Sequence, residues 1–182
     1  MDKQENKFKK VRVNNIGILG GTFDPPHKGH VAISKVAKKK FNLTKVFWAV
    51  TKKNPFKNKT FYSLKERIFF SKKINHNNKF IKIGCYETKI KSNRTIDLIK
   101  YFNNKYKKSN IYFIIGADNL ISLHKWKNWK NIPNICQILV FDRKGFKSKS
   151  LKSTSFRQLN KKGLKFINFK KINISSSKIR KI

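Results

Sequence analysis

Short apolar runs rich in β-branched residues alternate with helical patterns along this chain of 182 residues. The runs fall at 16–20, 46–50, 80–85, 111–115, 135–141 and 164–169, and helical spacing occurs at 31–41, 64–74 and 95–106. Strands that are apolar on both faces and separated by helices are typical of a parallel sheet covered by helices on both sides. The alternation therefore predicts one α/β domain over residues 1–182, with 1–13 as a flexible or edge extension.

The chain is strongly basic, with 45 Lys and Arg against 8 Asp and Glu and a formal net charge of +37. Such a charge suggests a nucleic-acid-binding protein. Only six of these residues are Arg, the residue that base readout and bidentate phosphate contacts favour. Nucleic-acid binding would also need aromatic rings among the charges on an exposed face, whereas most Phe fall in predicted strands and core helix faces. A compositional bias explains the lysines better, and we expect no specific nucleic acid partner.

Other broad classes are excluded by simple patterns. No apolar run approaches the roughly 18 residues of a membrane span, and the start of the chain lacks the apolar segment of a signal peptide. Cys85 and Cys136 lie far apart without metal-ligand spacing. We therefore expect a cytoplasmic protein with reduced thiols and no membrane partner. Segments 51–62 and 144–162 are expected to be mobile, and the oligomeric state is left open.

The most informative segment is GGTFDPPHKGH at residues 20–30. His27 and His30 are three positions apart where a helix is predicted to begin, so their rings should share one face near its positive end. Gly20 and Gly21 are expected to adopt backbone conformations closed to other residues and to let a ligand approach closely. These features predict an anion site. The standard P-loop and dinucleotide fingerprints are absent.

Residues 20–30 resemble the GGTFDPxHxGH signature of the nucleotidyltransferase superfamily. The resemblance implies a Rossmann-like nucleotidyltransferase domain in which His27 and His30 are catalytic, binding the triphosphate and stabilising charge during transfer. Because an unperturbed His has a pKa of about 6.5, a neighbouring triphosphate is expected to keep these rings protonated. The remaining residues of the loop that the resemblance assigns to ATP are Gly20, Gly21, Thr22 and Phe23.

A second segment, ISSSKIR at residues 174–180, resembles the ISSTxIR motif of the same superfamily. The resemblance implies that Arg180 is catalytic and that three hydroxyls bind ATP, those of Ser175, Ser176 and Ser177. This agrees with simple chemistry, since serines cap helices and donate hydrogen bonds. Residues 54–57 stand where the family often has PPHK. Lys57 is therefore expected to be a further catalytic cation, although Phe56 replaces the family's His.

Residues 114–129 resemble the IIGADxLxxLxxW signature of nicotinate-nucleotide adenylyltransferase. The resemblance implies that Trp126 stacks on the pyridine ring, that Thr95 helps to bind its carboxylate, and that Asp118 contacts ATP. Arg143 matches an Arg of the family near the substrate phosphates. Arg94 stands where the family often has Tyr, and its guanidinium can also donate to a carboxylate. The set expected to bind nicotinate mononucleotide is thus Arg94, Thr95, Trp126 and Arg143.

The expected reaction is adenylyl transfer from ATP to nicotinate mononucleotide, giving nicotinate adenine dinucleotide and pyrophosphate, a step of NAD biosynthesis. Mg²⁺ is expected to arrive with ATP, because the sequence has no carboxylate cluster to hold it; Asp24 could bind a metal-coordinated water. Two alternatives remain. One is an adenylyltransferase of the same fold that uses nicotinamide mononucleotide or phosphopantetheine, and the other is a basic nucleic-acid-binding protein.

Overall fold

A computed structural model describes residues 14–52, 60–168 and 175–180. Its centre is one six-stranded sheet in the order β3-β2-β1-β4-β5-β6. Every neighbouring pair of strands is parallel. The strands are β1 (Asn14–Gly21), β2 (Leu43–Val50), β3 (Ile81–Gly84), β4 (Ser109–Gly116), β5 (Gln137–Phe141) and β6 (Leu164–Ile167). The predicted parallel α/β sheet is therefore confirmed.

Helices cover both faces of the sheet, as predicted. One buried cluster joins the sheet to Ile96, Ile99 and Phe102, and a second, on the other face, includes Ala37. The α-helices are α1 (Lys28–Phe41), α2 (Leu64–Ile74), α3 (Glu87–Ile90), α4 (Thr95–Lys105), α5 (Ala117–Ser122), α6 (Lys147–Leu151), α7 (Thr154–Leu159) and α8 (Ser176–Ile179). Two 3₁₀ helices lie at Leu123–Lys125 and Trp129–Asn134.

Most of the segment 144–162, which the sequence predicts to be mobile, forms the two helices α6 and α7. In α6 and α7 the inward positions are occupied by Ser150, Ser155 and Leu159, all of which are buried. The Oγ of Ser155 accepts the main-chain N–H of His124 at 2.8 Å. Because serines occupy buried positions of these helices, the sequence lacks the regular spacing of apolar residues that predicts a helix. The other segment expected to be mobile, 51–62, lies partly outside the described residues.

The sheet order reverses between β1 and β4, because β2 and β3 extend the sheet on one side and β5 and β6 on the other. Parallel α/β sheets bind ligands beyond the carboxyl ends of the strands at this switch point. Here those ends are Gly21 and Gly116, which lie within two of the recognised motifs. No helix in the described part of the chain is long and apolar enough to cross a membrane. Cys85 and Cys136 are both free thiols.

Candidate active site

The two motif histidines form the cap of α1 and stack on each other, with ring centroids 3.8 Å apart. The Nδ1 of His27 accepts the N–H of Gly29, and the N–H of His27 donates to the Nδ1 of His30, both at 3.2 Å. This is a capping box in which imidazoles take the places usual for Ser and Glu. Since both Nδ1 atoms accept, each neutral ring must carry its proton on Nε2.

Burial determines the charge of His27 when no phosphate is beside it. Burial, and then the positive charge of Arg143, lowers the pKa of His27 from 6.5 to about 4. The imidazole is only 8% exposed. In the ligand-free protein at neutral pH, His27 is therefore a neutral N–H donor rather than a cation, because desolvation opposes the charged form.

The buried ring of Phe23 packs against the ring of His30. Its ring stacks on Trp48 at 4.7 Å and lies 4.9 Å from the ring of His30. Trp48 in turn donates to the Oγ of Ser34, which donates to the carbonyl of His30. Because Phe23 is only 2% exposed, its side chain does not fit the expected ATP contact, and only its main chain could make one. Trp48 is fully buried and is a packing residue.

The two motif glycines do not have the backbone conformation expected for them. Among the described residues of the loop, the positive φ belongs to Phe23, at 49°, and neither Gly20 nor Gly21 has one. Both glycines instead line a cavity. A Cβ on Gly20 would meet the ring of Phe113 only at ordinary contact distance, 3.5 Å. The glycines therefore keep room for a ligand rather than permitting a special turn.

The C-terminal motif docks directly on the signature loop. The Oγ of Ser176 donates to the carbonyl of Pro25 at 2.8 Å. The guanidinium of Arg180 donates to the main-chain carbonyl of Asp24 and, at 3.2 Å, to the Oγ of Ser177. Ser175 immediately precedes α8. The structure thus brings together two segments that the sequence linked only by resemblance.

Asp24 anchors the chain that precedes α2. Its two carboxylate oxygens accept the main-chain N–H groups of Phe61, at 2.8 Å, and Tyr62, at 2.9 Å. The carboxyl group is buried, and the guanidinium of Arg180 lies 3.7 Å away. In the part of the chain that the structure describes, no three His, Cys, Asp or Glu residues cluster to hold a metal ion. These residues therefore do not form a cage for a resident Mg²⁺, and the position of Asp24 is that of a structural anchor.

A cavity of about 370 Å³ adjoins the signature loop and the N-terminus of α4. Three of the residues expected to bind the mononucleotide, Arg94, Thr95 and Trp126, line it. The ring of Trp126 meets Phe113 edge-on at 6.2 Å, and its Nε1 has no hydrogen-bond partner among the described residues. Several polar residues of the cavity wall were not predicted from the sequence, namely Glu87, Ser92, Asn93, Asn119, Lys125 and Lys127.

Asp118 and Arg143 pair with each other. The Nη1 of Arg143 lies 2.5 Å from the Oδ2 of Asp118. From the sequence they were expected to bind separate ligands, and Arg143 is not among the residues that line the cavity. Its positive charge is near enough to His27 to contribute to the lowered pKa of that histidine. Lys57 lies outside the described residues.

The comparisons with known proteins agree on one family. The cytidylyltransferase-like family model matches residues 18–182. A protein of Pelagibacter ubique (strain HTCC1062) named as a probable nicotinate-nucleotide adenylyltransferase is 59% identical over 182 residues, 100% of both chains. One of the same name from Bradyrhizobium sp. (strain ORS 278) is 37% identical over 145 residues, 79% of this chain and 75% of that one.

Among solved structures, a Plasmodium falciparum nicotinic acid mononucleotide adenylyltransferase complexed with NaAD matches with a TM-score of 0.70. It is 22% identical and covers 92% of this chain, with 83% of that chain matched, so it supports the fold. The fold and the paired motifs are those of a nucleotidyltransferase. Within that class, the chain belongs to the nicotinate-nucleotide adenylyltransferase family. The family inferred from the sequence motifs is confirmed.

Proposed function

We propose that this protein transfers the adenylyl group of MgATP to the phosphate of nicotinate mononucleotide, producing nicotinate adenine dinucleotide and pyrophosphate for NAD biosynthesis. One observation carries the proposal. The cavity lined by Thr95 and Trp126 is also lined by Gly20 and Gly21. These glycines begin the signature loop that leads to the histidine pair at the start of α1. A phosphate site and a site for a flat ring are therefore adjacent.

The chemistry requires little covalent help from the protein. A phosphate oxygen of the mononucleotide attacks the α-phosphorus of ATP in line, and the bond from that phosphorus to the oxygen bridging the β-phosphorus breaks. The electron pair leaves with pyrophosphate. Because the second pKa of a phosphate monoester is about 6, the nucleophile is already ionised at neutral pH. Catalysis then depends on positioning and on donors facing the developing charge.

In this proposal, the Nε2–H groups of His27 and His30 donate to the triphosphate. The guanidinium of Arg180 and the ammonium of Lys57 supply positive charge. Main-chain groups of the signature loop and the hydroxyls of the C-terminal motif complete the ATP site; these residues are Gly20, Gly21, Thr22, Phe23, Ser175, Ser176 and Ser177. Asp118 contacts the nucleotide, and its pairing with Arg143 holds both side chains beside the phosphates.

Mg²⁺ enters this proposal as part of the substrate MgATP. Its charge offsets that of the phosphates, and the described residues supply no cage for it. The reaction is assigned to the cytoplasm, where the two free thiols, Cys85 and Cys136, stay reduced.

The acceptor is held in the cavity. Its pyridine ring stacks on Trp126, while Thr95, the first residue of α4, offers a hydroxyl to the ring carboxylate near the positive helix end. Arg94 contributes a cation at the same wall. The positive charge of Arg94 favours nicotinate mononucleotide, which carries a ring carboxylate, over nicotinamide mononucleotide, which carries a neutral amide.

The decisive experiment measures pyrophosphate release with ATP and one acceptor at a time. We expect turnover with nicotinate mononucleotide to exceed that with nicotinamide mononucleotide and phosphopantetheine. Faster turnover with either alternative acceptor would reassign the substrate. No turnover with any of the three would contradict adenylyl transfer.

The nucleic-acid alternative has its own test. The structure exposes Phe61 and Phe69, which are 68% and 60% exposed, near or on the lysine-bearing helix α2. Duplex and single-stranded DNA should be titrated at several salt concentrations, since binding that depends only on charge weakens steeply with salt. Binding that persists at physiological salt without adenylyl transfer would favour the nucleic-acid function.

A further inference from the structure

A buried arginine ties three segments of main chain together at the edge of the active site. Arg67, in α2, is 1% exposed. Its Nη1 donates to the carbonyls of Thr22, at 2.8 Å, and Thr51, at 2.7 Å. Its Nη2 donates to the carbonyl of Lys52 at 3.0 Å, and its Nε donates to the carbonyl of Tyr62 at 3.1 Å.

These contacts begin where the sheet ends. The N–H of Thr51 donates to the carbonyl of Gly21 at 3.0 Å, which closes the pairing of β1 with β2. Thr22 and Thr51 each lie one residue past the end of a strand. The Nη1 of Arg67 therefore joins the segments that follow β1 and β2, just beyond the last hydrogen bond between the two strands. A planar guanidinium can reach several carbonyls at once, whereas the single nitrogen of Lys cannot.

The burial of this charge is costly. Desolvation lowers the pKa of Arg67, and the charges of Asp24, Cys85 and Glu87 act against that effect. The four acceptors named above are all neutral carbonyls. A buried charge is a weak device for stability alone. The guanidinium donates to carbonyls of three segments. This arrangement indicates that the role of Arg67 is to hold those segments in a fixed geometry.

Asp24 also joins two of these segments, the signature loop and the chain that precedes α2. That carboxylate accepts the main-chain N–H groups of Phe61 and Tyr62, while Arg67 donates to the carbonyl of Tyr62 and to that of Thr22. Two groups of opposite charge thus fix the signature loop against the chain that enters α2. The loop leads within five residues from Thr22 to His27.

We propose that Arg67 is a positioning residue for phosphate chemistry in this protein. It fixes the main chain at Thr22 and thereby directs His27 and His30 toward the triphosphate. The proposal rests on the adenylyl transfer proposed above, because that reaction defines the geometry that the histidines must hold. Displacement of a reacting group by about 1 Å can lower a rate by roughly 100-fold.

The kinetic test uses Arg67→Lys and Arg67→Gln, with Arg157→Gln as the matched control, since Arg157 is an exposed residue of α7. We expect kcat to fall by roughly 10- to 100-fold in Arg67→Gln and less in Arg67→Lys. The KM for nicotinate mononucleotide should change less than kcat, because Arg67 makes no hydrogen bond to α4 or to Trp126, and of its four acceptors only Thr51 lines the cavity. Wild-type kcat in either folded variant would overturn the proposal, as would a rise in that KM as large as the fall in kcat.

A second measurement does not depend on the reaction. Amide hydrogen exchange reports local opening, and Arg67→Lys, the milder change, should speed exchange at residues 20–27 and 60–63 while β4 and β5 keep their protection. Uniformly faster exchange would mean a merely structural role and would overturn the proposal, as would unchanged exchange at 20–27. If the wild-type protein proves inactive, the proposed function fails while exchange still decides whether Arg67 positions the loop.

Discussion

Ser176 and Pro25 are 151 positions apart, yet the Oγ of Ser176 donates a 2.8 Å hydrogen bond to the carbonyl of Pro25. This contact docks α8 on the signature loop. Arg180, four residues later, reaches the carbonyl of Asp24. The serine–arginine segment therefore has a defined place beside the histidines before any phosphate binds.

Removing this contact tests the docking of α8. A hydrogen bond contributes about 0.5–1.5 kcal/mol, so we expect Ser176→Ala to raise the KM for ATP by up to about tenfold. The KM for the mononucleotide should stay unchanged. Ser148→Ala, at an exposed position of α6, is the control. A rise in the mononucleotide KM alone would contradict this role for Ser176.

The two nitrogens of His30 can be tested separately. Asn at position 30 places an acceptor near the position of Nδ1, which preserves the cap to His27, but it offers nothing at Nε2. We expect His30→Asn to fold normally and to lose roughly 100- to 1,000-fold in kcat, the effect of removing one donor to developing charge.

His30→Gln keeps both functions in part. Gln at this position of a capping box can accept the N–H of His27, and its amide can donate near the position of Nε2, so this variant should fold normally and keep more activity than His30→Asn. His76→Asn, at an exposed histidine, controls for the substitution itself. Wild-type turnover in His30→Asn would exclude a catalytic role for Nε2.

His27 should make stability depend on pH. Its pKa falls from 6.5 to about 4 on folding, mainly through burial. Between these pH values the unfolded chain binds a proton that the folded chain does not, so stability rises with pH. The contribution of the neutral His27 ring to the free energy of unfolding is fully present above about pH 6.5 and is lost as the pH falls to about 4. This contribution is about 3 kcal/mol.

Urea unfolding between pH 4 and 7 measures this effect. His27→Asn keeps a capping oxygen for the N–H of Gly29 but has no titrating ring, so its unfolding free energy should depend less on pH than that of the wild-type protein. His76→Asn should retain the wild-type slope. Equal slopes in all three proteins would show that His27 is not the titrating group.

Trp126 should control acceptor binding. Stacking of a base on an aromatic side chain is worth about 1–3 kcal/mol, so Trp126→Ala should raise the KM for nicotinate mononucleotide by roughly 10- to 100-fold. Trp126→Phe should retain most of the affinity. Trp129→Phe is the control, because Trp129 packs against the same core cluster outside the cavity lining. If the KM for ATP rose instead, the cavity would have to be assigned to ATP.

The sequence predicted the sheet well because its four central strands, β1, β2, β4 and β5, are largely buried and contain apolar runs. It predicted the pairing of the two phosphate motifs only through their resemblance to a family. It could not predict that Asp118 and Arg143 bind each other, because their separation of 25 positions shows nothing of how the ends of β4 and β5 meet. Nor did it predict the low pKa of His27, which results from burial in the folded protein.

Arg67 shows a signal that could have been found. It lies on the inward side of α2 with Ser71 four residues later, and both are buried. An arginine at an inward position, in a chain whose basic residues are mostly lysine, indicates a site that needs several fixed donors. The buried serines of α6 and α7 offer no comparable signal, because small hydroxyl residues are equally common in loops.

The two proposed substrate sites draw largely on different parts of the chain. Most groups proposed to bind the triphosphate lie at 20–30 and 175–180, while Arg94, Thr95 and Trp126, proposed for the acceptor, lie between these segments in the sequence, and the two sites meet at Gly20 and Gly21. Mutations that reshape the cavity wall can therefore accumulate without disturbing the groups that act on the triphosphate. Evolution can change which acceptor is adenylylated while it conserves how the adenylyl group is delivered.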